Sequence, residues 1–271
     1  MTDTAARTAH VYDLASDGYD HPALSFWERF GARTVERAAP RAGARLLDAC
    51  CGTGASALPA AARVGPDGSV LGIDLSDRML DLARAKARAR GLGNVTFRRG
   101  DILSAGLPEK SFDAVICVFG VFFIEDMAAA VRALHRLVAP GGTLLLTSWG
   151  SGAFEPVDSL FWEAVRPERP ELCHAFAPWE RLGNDPAMRR LMADAGLPGA
   201  RVEMERAEHP LREPEDGWRI VMGTGYRGTV DQLEGPARAR VRETLLRGLR
   251  DLGAASIRVD VVYAQARADA A

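Results

Sequence analysis

The stretch Leu46-Leu47-Asp48-Ala49-Cys50-Cys51-Gly52-Thr53-Gly54 sets a glycine turn directly after a short apolar run. Residues 45–50 read as a buried strand, and residues 55–63 as the helix that follows it. Gly52 and Gly54 let the backbone turn tightly and leave no side chain between it and a ligand. Twenty residues after Gly54, Asp74 ends a second apolar run, Val70-Leu71-Gly72-Ile73. A carboxylate placed there accepts two hydrogen bonds from ribose hydroxyls. Taken singly, a glycine pair is common in loops and a strand-end aspartate often caps a helix. In combination they point to an adenosine-bearing ligand.

Outward from this segment, strands and helices alternate. The pattern predicts a helix over 78–90, strands over 95–98 and 112–118, and a helix over 128–137. Pro140-Gly141-Gly142 then turns the chain into a strand over 143–149. Such alternation predicts a mostly parallel sheet with helices on both faces. Upstream, residues 1–22 are polar and aromatic by turns, and a helix runs from Pro22 or Ala23 to before Pro40. Between 151 and 198 the rhythm breaks into a proline- and aromatic-rich segment with short helices near 156–165 and 186–195. A strand over 201–206, helices over 215–226 and 235–249 and a strand over 256–266 complete the chain. The expected division is a helical lid (1–42), a cofactor-binding core (43–150), an inserted helical cap (151–198) and the remainder of the core with substrate-side helices (199–271).

Composition narrows the function classes. The net charge is −2, and all but Lys86 and Lys110 of the 34 basic residues are arginines scattered along the chain. A nucleic-acid surface would gather them on one element. The amino terminus lacks the apolar core of a signal peptide, and no apolar run approaches a membrane span. The expectation is a cytoplasmic protein with reduced cysteines, a small-molecule substrate and neither a nucleic-acid nor a membrane partner; a homodimer is left open. Cys50 and Cys51 are adjacent, without C-x-x-C or H-E-x-x-H spacing, so no metal site is expected.

Gly52, Gly54 and Ala57 nearly reproduce the dinucleotide fingerprint G-x-G-x-x-G/A, and spacing alone barely separates a nicotinamide enzyme from other users of adenosine. Later segments separate them. LLDACCGTG (46–54), GIDLSDRMLDLARAKA (72–87), FRRGDILS (97–104), FDAVICVFGVFFIED (112–126) and RLVAPGGTLLLTSWG (136–150) occur in order. In this order they resemble the motifs of the class I, seven-stranded S-adenosylmethionine-dependent methyltransferases, in particular the small-molecule branch with the ubiquinone and menaquinone biosynthesis enzymes. The resemblance implies a Rossmann-like α/β sheet of seven strands, mostly parallel with an antiparallel last strand, helices on both faces and a small helical cap. It implies S-adenosylmethionine as cofactor. Asp48 and the backbone of Gly52 and Gly54 would hold its methionine portion, and Asp74 the ribose. Leu75 and Met79 would flank the adenine, Asp101 would accept from its amino group with Ile102 beside the ring, and Val118 and Phe119 would border the sulfonium.

The acceptor is less legible. An oxygen nucleophile benefits from a general base, for which His174 is the candidate; Tyr19, the second candidate catalytic residue, would with Tyr12 orient a substrate hydroxyl or carboxylate. Tyr12, Phe26, Trp27, Phe123, Trp149, Trp218 and Tyr226 are candidates for substrate contact. They belong to an aromatic concentration around the open ends of the fourth and fifth strands, where α/β folds bind ligands. The segment after the fourth strand, Val118-Phe119-Gly120-Val121, lacks the N/D-P-P-Y/F tetrapeptide used to methylate nucleic-acid bases. O-methylation of a hydrophobic or aromatic small molecule is therefore the expected activity. C- or N-methylation, a nicotinamide oxidoreductase and a non-catalytic nucleotide-binding regulator are the alternatives.

Overall fold

The computed structural model describes residues 3–173 and 178–270. Among the described residues nine strands form in chain order: β1 (Arg45–Ala49), β2 (Ser69–Asp74), β3 (Val95–Arg99), β4 (Phe112–Val118), β5 (Val138–Trp149), β6 (Arg201–Glu205), β7 (Glu208–Pro210), β8 (Ser256–Arg258) and β9 (Val261–Arg267). Seven build one sheet in the order β3-β2-β1-β4-β5-β9-β6, while β7 and β8 pair separately. β1 to β5 are mutually parallel, and β9 runs antiparallel to both β5 and β6. The chain therefore has the seven-stranded, Rossmann-like methyltransferase arrangement.

The strand order reverses between β1 and β4, since β1 feeds leftward to β2 and β4 feeds rightward to β5. Right-handed crossovers then place α3 (Ala57–Val64) and α4 (Asp77–Ala89) on one face and α5 (Met127–Arg136) on the other. α2 (Phe26–Ala38) packs beside α3, and α7 (Asp185–Asp194) beside α5. Leu46, Leu47, Val115, Ile116, Leu144 and Leu146 are fully buried at the sheet centre. Covered on both faces, these strands read as continuous apolar runs, which is why they were visible in the sequence.

α6 (Val157–Val165), α8 (Glu215–Met222) and α10 (Gly235–Asp251) pack together beyond the strand ends. α9 (Arg227–Val230) is a single turn between α8 and α10. The amino-terminal helix α1 (Asp3–Tyr19) crosses the mouth of the sheet, touching α4, α8 and α9. This helix is not apparent in the sequence pattern; the helix expected from residue 22 begins properly at Phe26. The single strand expected over 256–266 is broken at Val259–Asp260. There Asp260 accepts the amide of Ala207 on its side chain and that of Gly150 on its carbonyl. No helix among the described residues is long and apolar enough to cross a membrane.

Candidate cofactor and acceptor site

A cavity of about 550 Å³ opens where the strand order reverses. At a topological switch point the carboxyl ends of neighbouring strands diverge and leave a crevice. One end is framed by the residues expected around a cofactor. Gly52, Asp74, Leu75, Met79, Asp101, Ile102, Val118 and Phe119 all line it.

Local structure explains their placement. Gly52 has φ +50°, and a Cβ there would point toward the Tyr19 hydroxyl, 3.8 Å away across the cavity. The turn thus presents bare backbone to this space. Asp74 accepts the Gly52 amide on Oδ2 at 2.8 Å and the Ser76 amide on Oδ1 at 3.0 Å. Burial raises its pKa, while the amides of Ser76, Gly52 and Leu75 oppose that shift by favouring the anion. These three amides leave one of the carboxylate's four lone-pair sites for a ligand. Asp101 accepts the Leu103 amide on Oδ1 at 3.0 Å, capping a short turn, and still lines the cavity. Capping and ligand contact are compatible, because Oδ2 is left over.

Two expected cofactor residues lie off the cavity wall. Asp48 is fully buried, its Oδ2 accepting from Ser56 Oγ at 2.6 Å. Burial raises its pKa to about 7 against the pull of that hydroxyl. Through Ser56, Asp48 braces the start of α3, and it does not line the cavity. Gly54, at φ +84°, is closed off by Leu58 and Ala83.

The other end of the cavity is aromatic. Tyr12, Tyr19, Trp27, Phe123 and Trp149, all named from the sequence, line it together with Phe122, Phe154, Trp179, Thr224 and Gly225. Phe119 stacks on Trp149 with ring centroids 3.8 Å apart, and Tyr19 stacks on Trp27 at 4.9 Å. Phe119 has φ +54°, an uncommon backbone for a bulky residue and one concentrated at functional sites. Its amide is held by Thr147 of β5 at 2.9 Å, which fixes the strained turn. Next to it, Gly120 fits where a Cβ would lie 2.5 Å from Cys50 Cβ.

Phe26, Trp218 and Tyr226 do not reach the cavity. Phe26 is fully buried among Trp27, Trp149 and Phe154, behind the wall. Tyr226 is also fully buried, its hydroxyl donating to Asp158. Trp218 packs against the core from α8. Residues two and one before Tyr226, Thr224 and Gly225, supply the wall instead; the sequence marks their segment but not which residue faces inward. His174 lies outside the described residues. Of the other histidines, His209 is buried with Nε2 3.0 Å from the Ala23 carbonyl, and burial lowers its pKa.

Tyr12 and Tyr19 keep their protons. Burial raises both phenols far above their ordinary range, with Asp74 adding repulsion to each and Tyr12 to Tyr19. Neither serves as a base near neutrality; both can donate. α1, which carries them, is clasped to the cofactor end. Ser76 Oγ meets Asp13 at 2.5 Å, Arg78 meets Asp17 at 2.8 Å, and Lys86 bridges Asp20 and Thr53 at 2.8 and 2.9 Å.

Comparison with known proteins agrees with this geometry. A family described as a methyltransferase domain matches residues 46–142. A nocamycin O-methyltransferase of Saccharothrix syringae is 32% identical over 253 residues, spanning 88% of this chain and 89% of the relative. A demethylmenaquinone methyltransferase of Geobacillus kaustophilus is 36% identical over 140 residues, spanning 50% of this chain and 60% of its own length. Phosphoethanolamine N-methyltransferase 2 of Haemonchus contortus, solved with S-adenosylhomocysteine, has a TM-score of 0.62 at 17% identity. That match covers 99% of this chain and 61% of the solved one, and concerns the fold alone. The chain belongs to the class I S-adenosylmethionine-dependent methyltransferases.

Proposed function

We propose that the protein transfers the methyl group of S-adenosylmethionine to an oxygen of a hydrophobic or aromatic small molecule, as a step in a biosynthetic pathway. The observation that carries this reading is the continuity of one cavity from Asp74 and Gly52 to the aromatic end at Phe119 and Trp149. The nocamycin O-methyltransferase, similar over most of both chains, supports the choice of oxygen. The scattered charge of the chain supports a small molecule over nucleic acid, and a cytoplasmic place of action belongs to the same reading.

When bound, S-adenosylmethionine supplies a methyl group already activated by a positively charged sulfur. The residues present fit it. Asp74 would take a ribose hydroxyl, and Gly52 would offer bare backbone to the methionine portion. Leu75, Met79 and Ile102 would grip the purine faces, Asp101 would accept from its amino group, and Val118 and Phe119 would border the sulfur. Asp48 and Gly54 would act by shaping the turn.

The protein's remaining work is to align the acceptor and exclude water. Trp27, Phe123 and Trp149 enclose the acceptor, and α1 closes the chamber as a lid over the core. The Tyr12 and Tyr19 hydroxyls orient an acceptor oxygen by donating to it. His174 takes the proton from acceptors that arrive protonated. A panel of phenols, aromatic carboxylic acids, aliphatic amines and thiols, each assayed for S-adenosylhomocysteine release, tests the reading. Turnover confined to the aromatic oxygen acids is expected; turnover confined to amines or thiols would overturn it.

A further inference from the structure

The inner end of the aromatic chamber is made by Phe154, Trp179, Thr224 and Gly225. No regular strand supplies this wall. Phe154 sits in a loop at φ +72°, and Thr224 and Gly225 connect α8 to α9. Loops of this kind wander unless something behind them fixes their position.

One side chain stands behind all of them. Tyr226 follows Gly225 directly, is fully buried and does not line the cavity. Its ring lies 6.1 Å from Phe154 and 6.3 Å from Trp179, centroid to centroid, with Phe161 and Trp162 of α6 on its other sides. Its hydroxyl donates to Asp158 Oδ1 at 2.5 Å, and the same oxygen accepts from Trp162 Nε1 at 3.1 Å. Burial holds the phenol well above its ordinary pKa, so it remains the donor. Thr224 Oγ1 is turned away from the chamber and donates to the Ile220 carbonyl at 2.7 Å.

We propose that Tyr226 and Asp158 are positioning residues that set the inner wall of the acceptor chamber, and with it the size of acceptor admitted, by tying the α8–α9 connection to α6. The proposal rests on the reading of the aromatic end as the acceptor site. A hydrogen bond to a partly buried carboxyl oxygen holds its donor in place. Its loss frees the 224–226 backbone and lets the two wall rings tilt, while the cofactor end at Asp74 keeps its own hydrogen bonds.

The test compares Tyr226→Phe, Asp158→Ala and Asp158→Asn with the parent protein by hydrogen–deuterium exchange. Tyr226→Phe and Asp158→Ala are expected to speed exchange of amides in 222–230 by about tenfold or more, with residues 46–101 unaffected. Asp158→Asn, whose amide oxygen still accepts the phenol proton, is expected to restore the parent rate. With the best acceptor of the panel above, the first two variants raise KM and accept bulkier homologues, while S-adenosylhomocysteine affinity is unchanged. Unaltered exchange in 222–230, acceleration spread over the whole chain, or failure of Asp158→Asn to restore it overturns the proposal. A parent protein that does not bind S-adenosylhomocysteine overturns instead the cofactor reading on which the chamber assignment stands.

Discussion

The backbone amide of Gly52 donates to Asp74 Oδ2 at 2.8 Å, joining the turn after β1 to the end of β2. The carboxylate is thus both a structural tie and a ligand group. Asp74→Ala frees the amides of Gly52 and Ser76, and is expected to cost about 1–3 kcal/mol of stability by thermal or urea unfolding. S-adenosylhomocysteine affinity should fall about 10- to 10²-fold, from one lost charge-assisted hydrogen bond of about 1.5–3 kcal/mol. Unchanged affinity by calorimetry would contradict the ribose assignment.

Asp101 spends one oxygen on the Leu103 amide and has a second for the adenine amino group. The parent protein should prefer S-adenosylhomocysteine over S-inosylhomocysteine, which carries a carbonyl at that position, by about tenfold. Asp101→Ala should weaken adenosine binding and erase the preference. A preference that survives the substitution would place the adenine elsewhere.

Asp48 titrates near 7 because burial outweighs its hydrogen bond from Ser56. Its pKa is raised in the fold, so the folded state binds the proton more tightly than the unfolded chain. Stability from this group is complete below about pH 4 and is lost as pH rises through about 7. The loss above pH 7 is on the order of 4 kcal/mol at most. Asp48→Asn removes this dependence. Its melting temperature should exceed the parent's at pH 8, with the gap closing toward pH 4. A parallel pair of curves would show that Asp48 is not held neutral-prone by burial.

Burial holds the Tyr19 phenol well above its ordinary range, so it keeps its proton near neutrality. Tyr19→Phe should slow methyl transfer by less than about tenfold and leave the pH–rate profile unchanged in shape, since only a donor is lost. His174→Ala should slow transfer by about 10²-fold with acceptors that arrive protonated. Loss of an ionisation from the profile in Tyr19→Phe would show instead that the tyrosine acts as a base.

The cofactor end was legible because its chemistry is local in sequence. A glycine turn follows a strand, an aspartate ends the next strand, and an aspartate follows the third; topology then brings Gly52, Asp74 and Asp101 to one crevice. Asp48, inside the same motif, is buried against Ser56 and does not line the cavity, which the letters alone do not show. The acceptor end was legible only as composition. Phe26 and Tyr226 are aromatic like Trp149 and Phe154, and nothing in the letters says which ring faces the chamber and which stands behind it. α1 escaped because its alanine- and aspartate-rich sequence has little apolar periodicity; its position comes from clasps to Ser76, Arg78 and Lys86, whose partners are distant in sequence.

The most direct measurement is the fate of an isotopic methyl label. The protein is incubated with S-adenosylmethionine carrying a 13C methyl group and the aromatic oxygen acids of the panel, and the product is read by NMR. The label is expected on an acceptor oxygen, with one S-adenosylhomocysteine formed for each product. Label on carbon or nitrogen, or an acceptor consumed without S-adenosylhomocysteine, would contradict it.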